Sequence, residues 1–163
     1  MGLSVRAGTP RDVRFVFGCI RALAEFEKLT HEFHGSEEQL REHLFEGRTY
    51  AELLIGEIDG MPAGYALFFS TYSTFLTRPG LFLEDLFVQP ACRSRGLATA
   101  MLIELARIAV ERGCGRLEWS VLDWNQRAIA FYDSLGAAPV RGWIPYRISG
   151  PALAGLAARP LPK

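Results

Sequence analysis

Hydrophobic positions change their spacing several times along the chain, and each change marks an element. Leu3–Ala7 read as a short strand, after which Thr9 can cap a helix and Pro10 suits its first turn. Val13, Val16, Phe17, Ile20, Leu23 and Ala24 then recur at helical spacing, while Arg14, Arg21, Glu25 and Lys28 face outward, so a long helix is predicted to end near Leu29. Ser36, Glu37, Glu38 and Gln39 form a capping box that opens a second helix through Phe45, and Gly47 stops it. Two nearly continuous apolar runs, residues 51–58 and 61–70, flank Asp59-Gly60 and predict an antiparallel hairpin. After a polar loop around residues 77–80, LFLEDLFV predicts a third apolar strand that carries two adjacent carboxylates.

Downstream, Ala98, Met101, Leu102, Leu105, Ile108 and Ala109 predict a helix ended by Gly113, followed by a strand over residues 116–122. Asn125 caps a helix bearing Ala128, Ile129, Tyr132 and Leu135, and a last strand or hairpin is expected over residues 138–149. The Pro-, Ala- and Leu-rich tail after Gly150 reads as a loosely docked extension of a single domain spanning residues 1–163. The order βααβββαβαβ implies an α/β class, a mixed sheet flanked by helices.

Composition narrows the function classes. A chain of 163 residues with 49% hydrophobic positions can fill one core without staples. Its 18 basic and 18 acidic side chains cancel, which removes the electrostatic footprint expected of a nucleic-acid or anionic-membrane binder. No apolar run approaches the ~20 residues that span a bilayer, and the first ten residues lack the order of a secretory signal, so a cytoplasmic protein is expected. Cys19, Cys92 and Cys114 are odd in number and widely spaced, which fits reduced thiols. His31, His34 and His43 lack the spacing of a metal site and read as surface residues; no metal is expected.

The sharpest chemical signal is VQPACRSRGLATAMLIELA, where an apolar strand gives way to a short basic loop and a helix begins at once. A helix N-terminus offers unpaired N–H groups and the positive end of its dipole, Gly96 lets a bulky anion approach the backbone, and Arg93 and Arg95 add charge. A diphosphate fits that physics. The glycines of a dinucleotide fingerprint and the Lys of a nucleotide-triphosphate loop are absent.

RSRGLA resembles the R/Q-x-x-G-x-G/A signature of the GNAT N-acetyltransferases, with Ala98 where a second Gly is common. LAEFEK, FLEDLFV and WNQRAIAFYDSLGA are similar to motifs of the spermidine/spermine (diamine) and thialysine branch of that class, and the resemblance runs from the first strand to about Ile148. It implies the GNAT fold: a central, mostly antiparallel sheet, splayed at the cofactor site and flanked by about four helices. It also implies acetyl-CoA as co-substrate, a small-molecule amine as acceptor, and a homodimer.

Carried over by position, the resemblance gives the backbone of Leu86, Phe87 and Val88 to the pantetheine arm, as an added strand. Ser94, Arg95, Gly96, Leu97, Ala98 and Thr99 would hold the pyrophosphate, and Asn125, Gln126, Arg127 and Ala128 would touch the arm from the other side. An alkyl amine with a lysine-like pKa of about 10.4 is protonated near neutrality and must lose a proton before it attacks a thioester. Strand alternation sends Glu84 and Asp85 to opposite faces, and the resemblance selects Glu84 to assist that step, leaving Asp85 as a strand carboxylate paired with an Arg. It assigns Tyr132 the protonation of the departing sulfur, with Phe131 as packing, and gives Phe26, Glu27, Glu84 and Trp143 to the amine. No paired base accompanies Cys92, so direct transfer is expected. The alternatives are a protein lysine or N-terminal acetyltransferase and a CoA-binding regulatory module without turnover.

Overall fold

The computed structural model describes residues 2–162. Backbone packing divides the chain into two compact units, residues 1–122 and 123–163. The first unit contains β1 (Leu3–Ala7), α1 (Val13–Phe26), α2 (Glu37–Phe45), β2 (Glu52–Ile58), β3 (Met61–Ser73), β4 (Arg78–Val88), α3 (Leu97–Glu111) and β5 (Leu117–Trp119). The strands form one sheet in the order β1-β2-β3-β4-β5, antiparallel through β4, with β5 parallel to β4.

Local chemistry explains most boundaries. Asp59 and Gly60 have φ of 51° and 77°, the pair of left-handed residues that a tight hairpin turn between twisted strands requires. Ser36 accepts from the Gln39 N–H at 3.2 Å and starts α2. Pro10–Asp12 form a short 3-10 turn before α1, so Thr9 precedes that turn and α1 itself begins at Val13. β3 and β4 run further than expected, pairing Ser73 with Arg78 and leaving residues 74–77 to make the turn.

The sheet is covered on both faces. Ile55, Tyr65, Leu67 and Phe87 pack with Val16 and Cys19 of α1 and Leu44 of α2. The alternate residues face α3: a Cβ placed on Gly64 would lie 3.2 Å from Met101 Cε and 2.5 Å from the Phe87 carbonyl oxygen, so only glycine admits that close approach. Tyr65, Phe68, Ile55, Leu81, Leu83 and Leu97 are among the largest side chains buried outright, each stabilising the fold by about 1.5–3 kcal/mol.

The second unit contains α4 (Gln126–Ser134) and α5 (Gly150–Ala157). One expectation is corrected here. Residues 138–149 form no strand: Pro139 and Pro145 each lack a ladder donor, and Gly142, at φ 84°, breaks the run between them. The tail, expected as a loosely docked extension, carries an α-helix over Gly150–Ala157. Ser149 is extended at its N-cap position, Pro151 sits in its first turn, and Ala and Leu are strong helix formers. The described residues thus hold five α-helices where about four were expected, and β5 is shorter than residues 116–122.

Candidate active site

The site is organised by an irregularity in β4. Leu67 of β3 pairs with Asp85 and the next residue, Phe68, pairs with Leu83, so Glu84 is an extra residue at a β-bulge. The bulge reverses the alternation of the strand. Leu83 lies opposite Phe68 on the α3 face, whereas Asp85, two residues on, lies opposite Leu67 on the α1 face with Tyr65 and Phe87. Simple alternation of Glu84 and Asp85 to opposite faces therefore does not hold here. Glu84 is exposed and Asp85 half-buried.

Asp85 is not paired with an arginine, which corrects the sequence expectation. Its Oδ2 accepts from the Tyr65 hydroxyl at 3.0 Å, and Tyr65 is wholly buried. Burial pushes the Asp85 carboxyl up to about 6; the phenol's hydrogen bond opposes that rise, and the charges of Glu84 and Glu27 add to it. Burial and Asp85 together push the Tyr65 phenol well above its ordinary value. Glu27, at the C-cap of α1, is half-buried and is itself raised by desolvation. Sequence reasoning passed over Tyr65, yet a phenol in a core strand always needs a partner, and that signal was readable.

Arg93 is a second residue whose placement spacing did not reveal. Its guanidinium lies 5.5 Å from the Phe26 ring centroid and 5.7 Å from that of Phe87, and its Nε donates to the Val88 carbonyl at 3.0 Å. It thereby ties the end of α1, the end of β4 and the loop before α3 together.

Two features fit an extended, anionic co-substrate. β5 pairs with β4 only where Leu117, Glu118 and Trp119 meet Leu81, Phe82 and Leu83; beyond Leu83 that edge has no strand partner among the described residues. Leu86, Phe87 and Val88 lie on this unpartnered stretch, as a splayed sheet requires. α3 then starts behind Gly96, whose φ of 85° suits glycine, and no side chain caps the helix. Ser94 is also left-handed at φ 61°; Ser94, Arg95 and Gly96 are exposed, Leu97 is buried, and Ala98 and Thr99 are half-buried in the first turn.

In the second unit, the Asn125 side chain accepts from the Ala128 N–H at 3.2 Å and opens α4, as expected; Gln126 and Arg127 are exposed on its first turn. Tyr132 is half-buried on α4, with its ring centroid 5.4 Å from that of Phe131. Trp143 is 77% exposed on a segment without regular structure, so no expected strand holds it. Phe26 is exposed at the end of α1. His31, His34 and His43 lie at the surface, and no group of three metal-ligating side chains gathers among the described residues.

The sequence model described as "Acetyltransferase (GNAT) family" matches residues 20–137. The chain belongs to the GNAT acetyltransferase family. Membership makes it an acetyltransferase and implies acetyl-CoA as the acetyl donor. It is 36% identical to the thialysine N-epsilon-acetyltransferase of Mus musculus, over 95% of this chain and 97% of the mouse protein. It is 30% identical to the L-ornithine N5-acetyltransferase of Arabidopsis thaliana, over 91% of this chain and 85% of that one. Among solved structures, an integron cassette protein from the mobile metagenome of V. cholerae superposes with a TM-score of 0.81 at 23% identity, covering 98% of this chain and 99% of the other, a likeness of fold. No helix among the described residues is long and apolar enough to cross a membrane.

Proposed function

We propose that this GNAT acetyltransferase moves acetyl from acetyl-CoA directly onto a primary amine of a small molecule, a thialysine- or ornithine-like amino acid or a diamine or polyamine. A thialysine and an ornithine acetyltransferase match over 95% and 91% of this chain, which supports an acceptor of that size and charge. The observation that carries the reading is the bulge at Glu84, directly after the stretch of β4 that pairs with β5, so that the strand's following edge is free for an amide-bearing arm. Bound acetyl-CoA supplies the activated carbonyl. Leu86, Phe87 and Val88 would pair with its arm, and the first turn of α3 with Arg95 would hold its pyrophosphate. Asn125, Gln126, Arg127 and Ala128 would take the arm's remaining contacts.

Glu84 attracts the ammonium and relays its proton to water; the freed amine nitrogen attacks the thioester carbonyl, a C–N bond forms, the C–S bond breaks, and Tyr132 gives the departing sulfur a proton. Phe26, Glu27 and Trp143 provide an aromatic and acidic setting for a cationic acceptor. The family match crosses from residue 20 to residue 137 and so spans the boundary between the two units, which supports one acetyltransferase domain over residues 1–163. The resemblance to the diamine branch supports a homodimer, and three free cysteines support a reducing, cytoplasmic setting.

Thiol release from acetyl-CoA, measured with thialysine, ornithine, diamines, polyamines and lysine peptides, tests the reading. Release with a small amine is expected. Release with peptides alone would replace the acceptor class, and tight CoA binding without release would point to a regulatory module.

A further inference from the structure

We propose that Tyr65 is a positioning residue for acceptor binding: its buried phenol holds the Asp85 carboxylate on the α1 face of the bulge, where Asp85 receives the acceptor's ammonium beside Glu84. The proposal rests on the amine-acetyltransferase reading and adds a second carboxylate and its support to it.

The geometry begins with the register. Because Glu84 is the extra residue of the bulge, Asp85 shares a face with Tyr65 and Phe87 and not with Leu83. That is also the face of α1, whose end carries Phe26 and Glu27. A wholly buried phenol must place its O–H, and Tyr65 places it on Asp85 Oδ2 at 3.0 Å. A carboxylate has acceptor sites on both oxygens. Tyr65 is the one hydrogen-bond partner of Asp85 among the described residues, and no fully buried side-chain oxygen among them lacks a partner, so Oδ1 is not completely enclosed and its acceptor sites are unfilled by the protein.

The surroundings define the ligand's charge. The titratable groups acting on Asp85 are Tyr65 on β3, Glu84 on β4 and Glu27 at the end of α1, and Cys19 of α1 acts in turn on Tyr65. None is cationic. Arg93, from the loop before α3, stacks on Phe26 and Phe87 and donates to the Val88 carbonyl. A carboxylate desolvated among anions is relieved by a cation from outside, and an alkylammonium is the cation this enzyme handles. Fixed by the phenol, Asp85 meets it at one place instead of swinging with the bulge.

The test combines the pH dependence of the amine KM, with thialysine as probe, and carboxyl-carbon NMR titration of Asp85 in the full chain with CoA bound. In the wild type, KM for the amine should rise as Asp85 protonates near pH 6, and added thialysine should shift the Asp85 resonance. Tyr65→Phe removes the hydrogen bond that favours the anion, so both the Asp85 midpoint and the acid limb of KM should move up by about one pH unit, a tenfold rise in KM on the acid side. At saturating amine and pH 8, kcat should change less than about threefold. Asp85→Asn should erase the limb, holding the amine KM at its raised, acid-side value up to pH 8, while leaving the acetyl-CoA KM in place.

A folded Tyr65→Phe protein whose Asp85 midpoint and acid limb stay where they were would overturn the proposal. If that variant fails to fold, an unchanged amine KM in Asp85→Asn does the same. Turnover with no Asp85 response to the amine would sink the positioning role and leave the transfer reading intact. A response without turnover would sink the transfer reading alone.

Discussion

Two carboxylates of the first unit show how differently the same group can be used. Asp12 accepts from Arg6 Nη1 and Nη2 at 2.8 Å each, from the Thr9 N–H at 2.8 Å and from the Thr9 hydroxyl at 2.9 Å, while Arg6 Nε also donates to Glu57 Oε1 at 2.7 Å. The hydrogen bonds from Arg6 hold the Asp12 carboxyl down at about 2. Asp85 has one phenol and two acidic neighbours, and burial pushes it up to about 6. The first carboxylate closes β1 onto the start of α1 and has its counter-charge built in. The second is left without one, at a bulge, where a charged ligand can supply it. The charge of Asp12 is neutralised within the fold; that of Asp85 is not, at a cost in stability, and a carboxylate perturbed in that way is a candidate for a functional site.

The largest effect that separates the two regions is on activity. Glu84→Gln and Tyr132→Phe should each lower kcat/KM by ~10²-fold or more, the range for removing general acid–base assistance, in a thiol-release assay, with little change in thermal midpoint. Asp12→Ala should leave turnover of the folded protein nearly intact. Its effect is on stability: loss of the bidentate partner of Arg6 and of the Thr9 contacts should cost about 2–3 kcal/mol, read from urea midpoints at pH 7. If Asp12→Ala were neutral, the contrast between the regions would collapse.

The two aspartates should also respond to pH with opposite sign. Asp12 is depressed in the folded state, so its contribution is present above the ordinary carboxylate value and is lost as pH falls from about 4 toward 2. Asp85 is raised, so the folded state binds its proton more tightly than the unfolded chain, and stability falls as pH rises from about 4 through about 6. Urea midpoints at pH 3, 5 and 7 check both limbs. Asp85→Asn should remove the second and be more stable than wild type at pH 7 by ~1–2 kcal/mol, after allowance for the partial exposure of the group. The smallest effect is expected at the mouth of α3: Gly96→Ala forces an L residue to φ 85°, costing about 1 kcal/mol and raising the acetyl-CoA KM several-fold. An unchanged KM would remove that turn from the anion site.

Elements whose cause is local were legible before any fold was known. The paired left-handed turn at Asp59 and Gly60, the caps at Ser36 and Asn125, and the helical period of α3 each depend on a few neighbouring residues. The helical tail was missed because α5 is apolar on all sides, so periodicity carries no signal, although its Ala and Leu content favoured a helix. The strand expected over residues 138–149 failed for the opposite reason: apolar content was read over the two prolines that interrupt it.

By itself the sequence determined the succession of strands and helices from β1 to α4, the glycine turn before α3, and the residues that tie the chain to the acetyltransferases, because propensities, caps and motifs act over a handful of positions. Only the tertiary structure decided that β4 carries its extra residue at Glu84, that Asp85 turns toward Tyr65, and that Arg93 stacks between Phe26 and Phe87. A bulge exists only relative to the strand beside it, and a carboxyl's acidity is set by which groups surround it and how much water is excluded. Neither quantity belongs to a stretch of sequence until distant stretches have met.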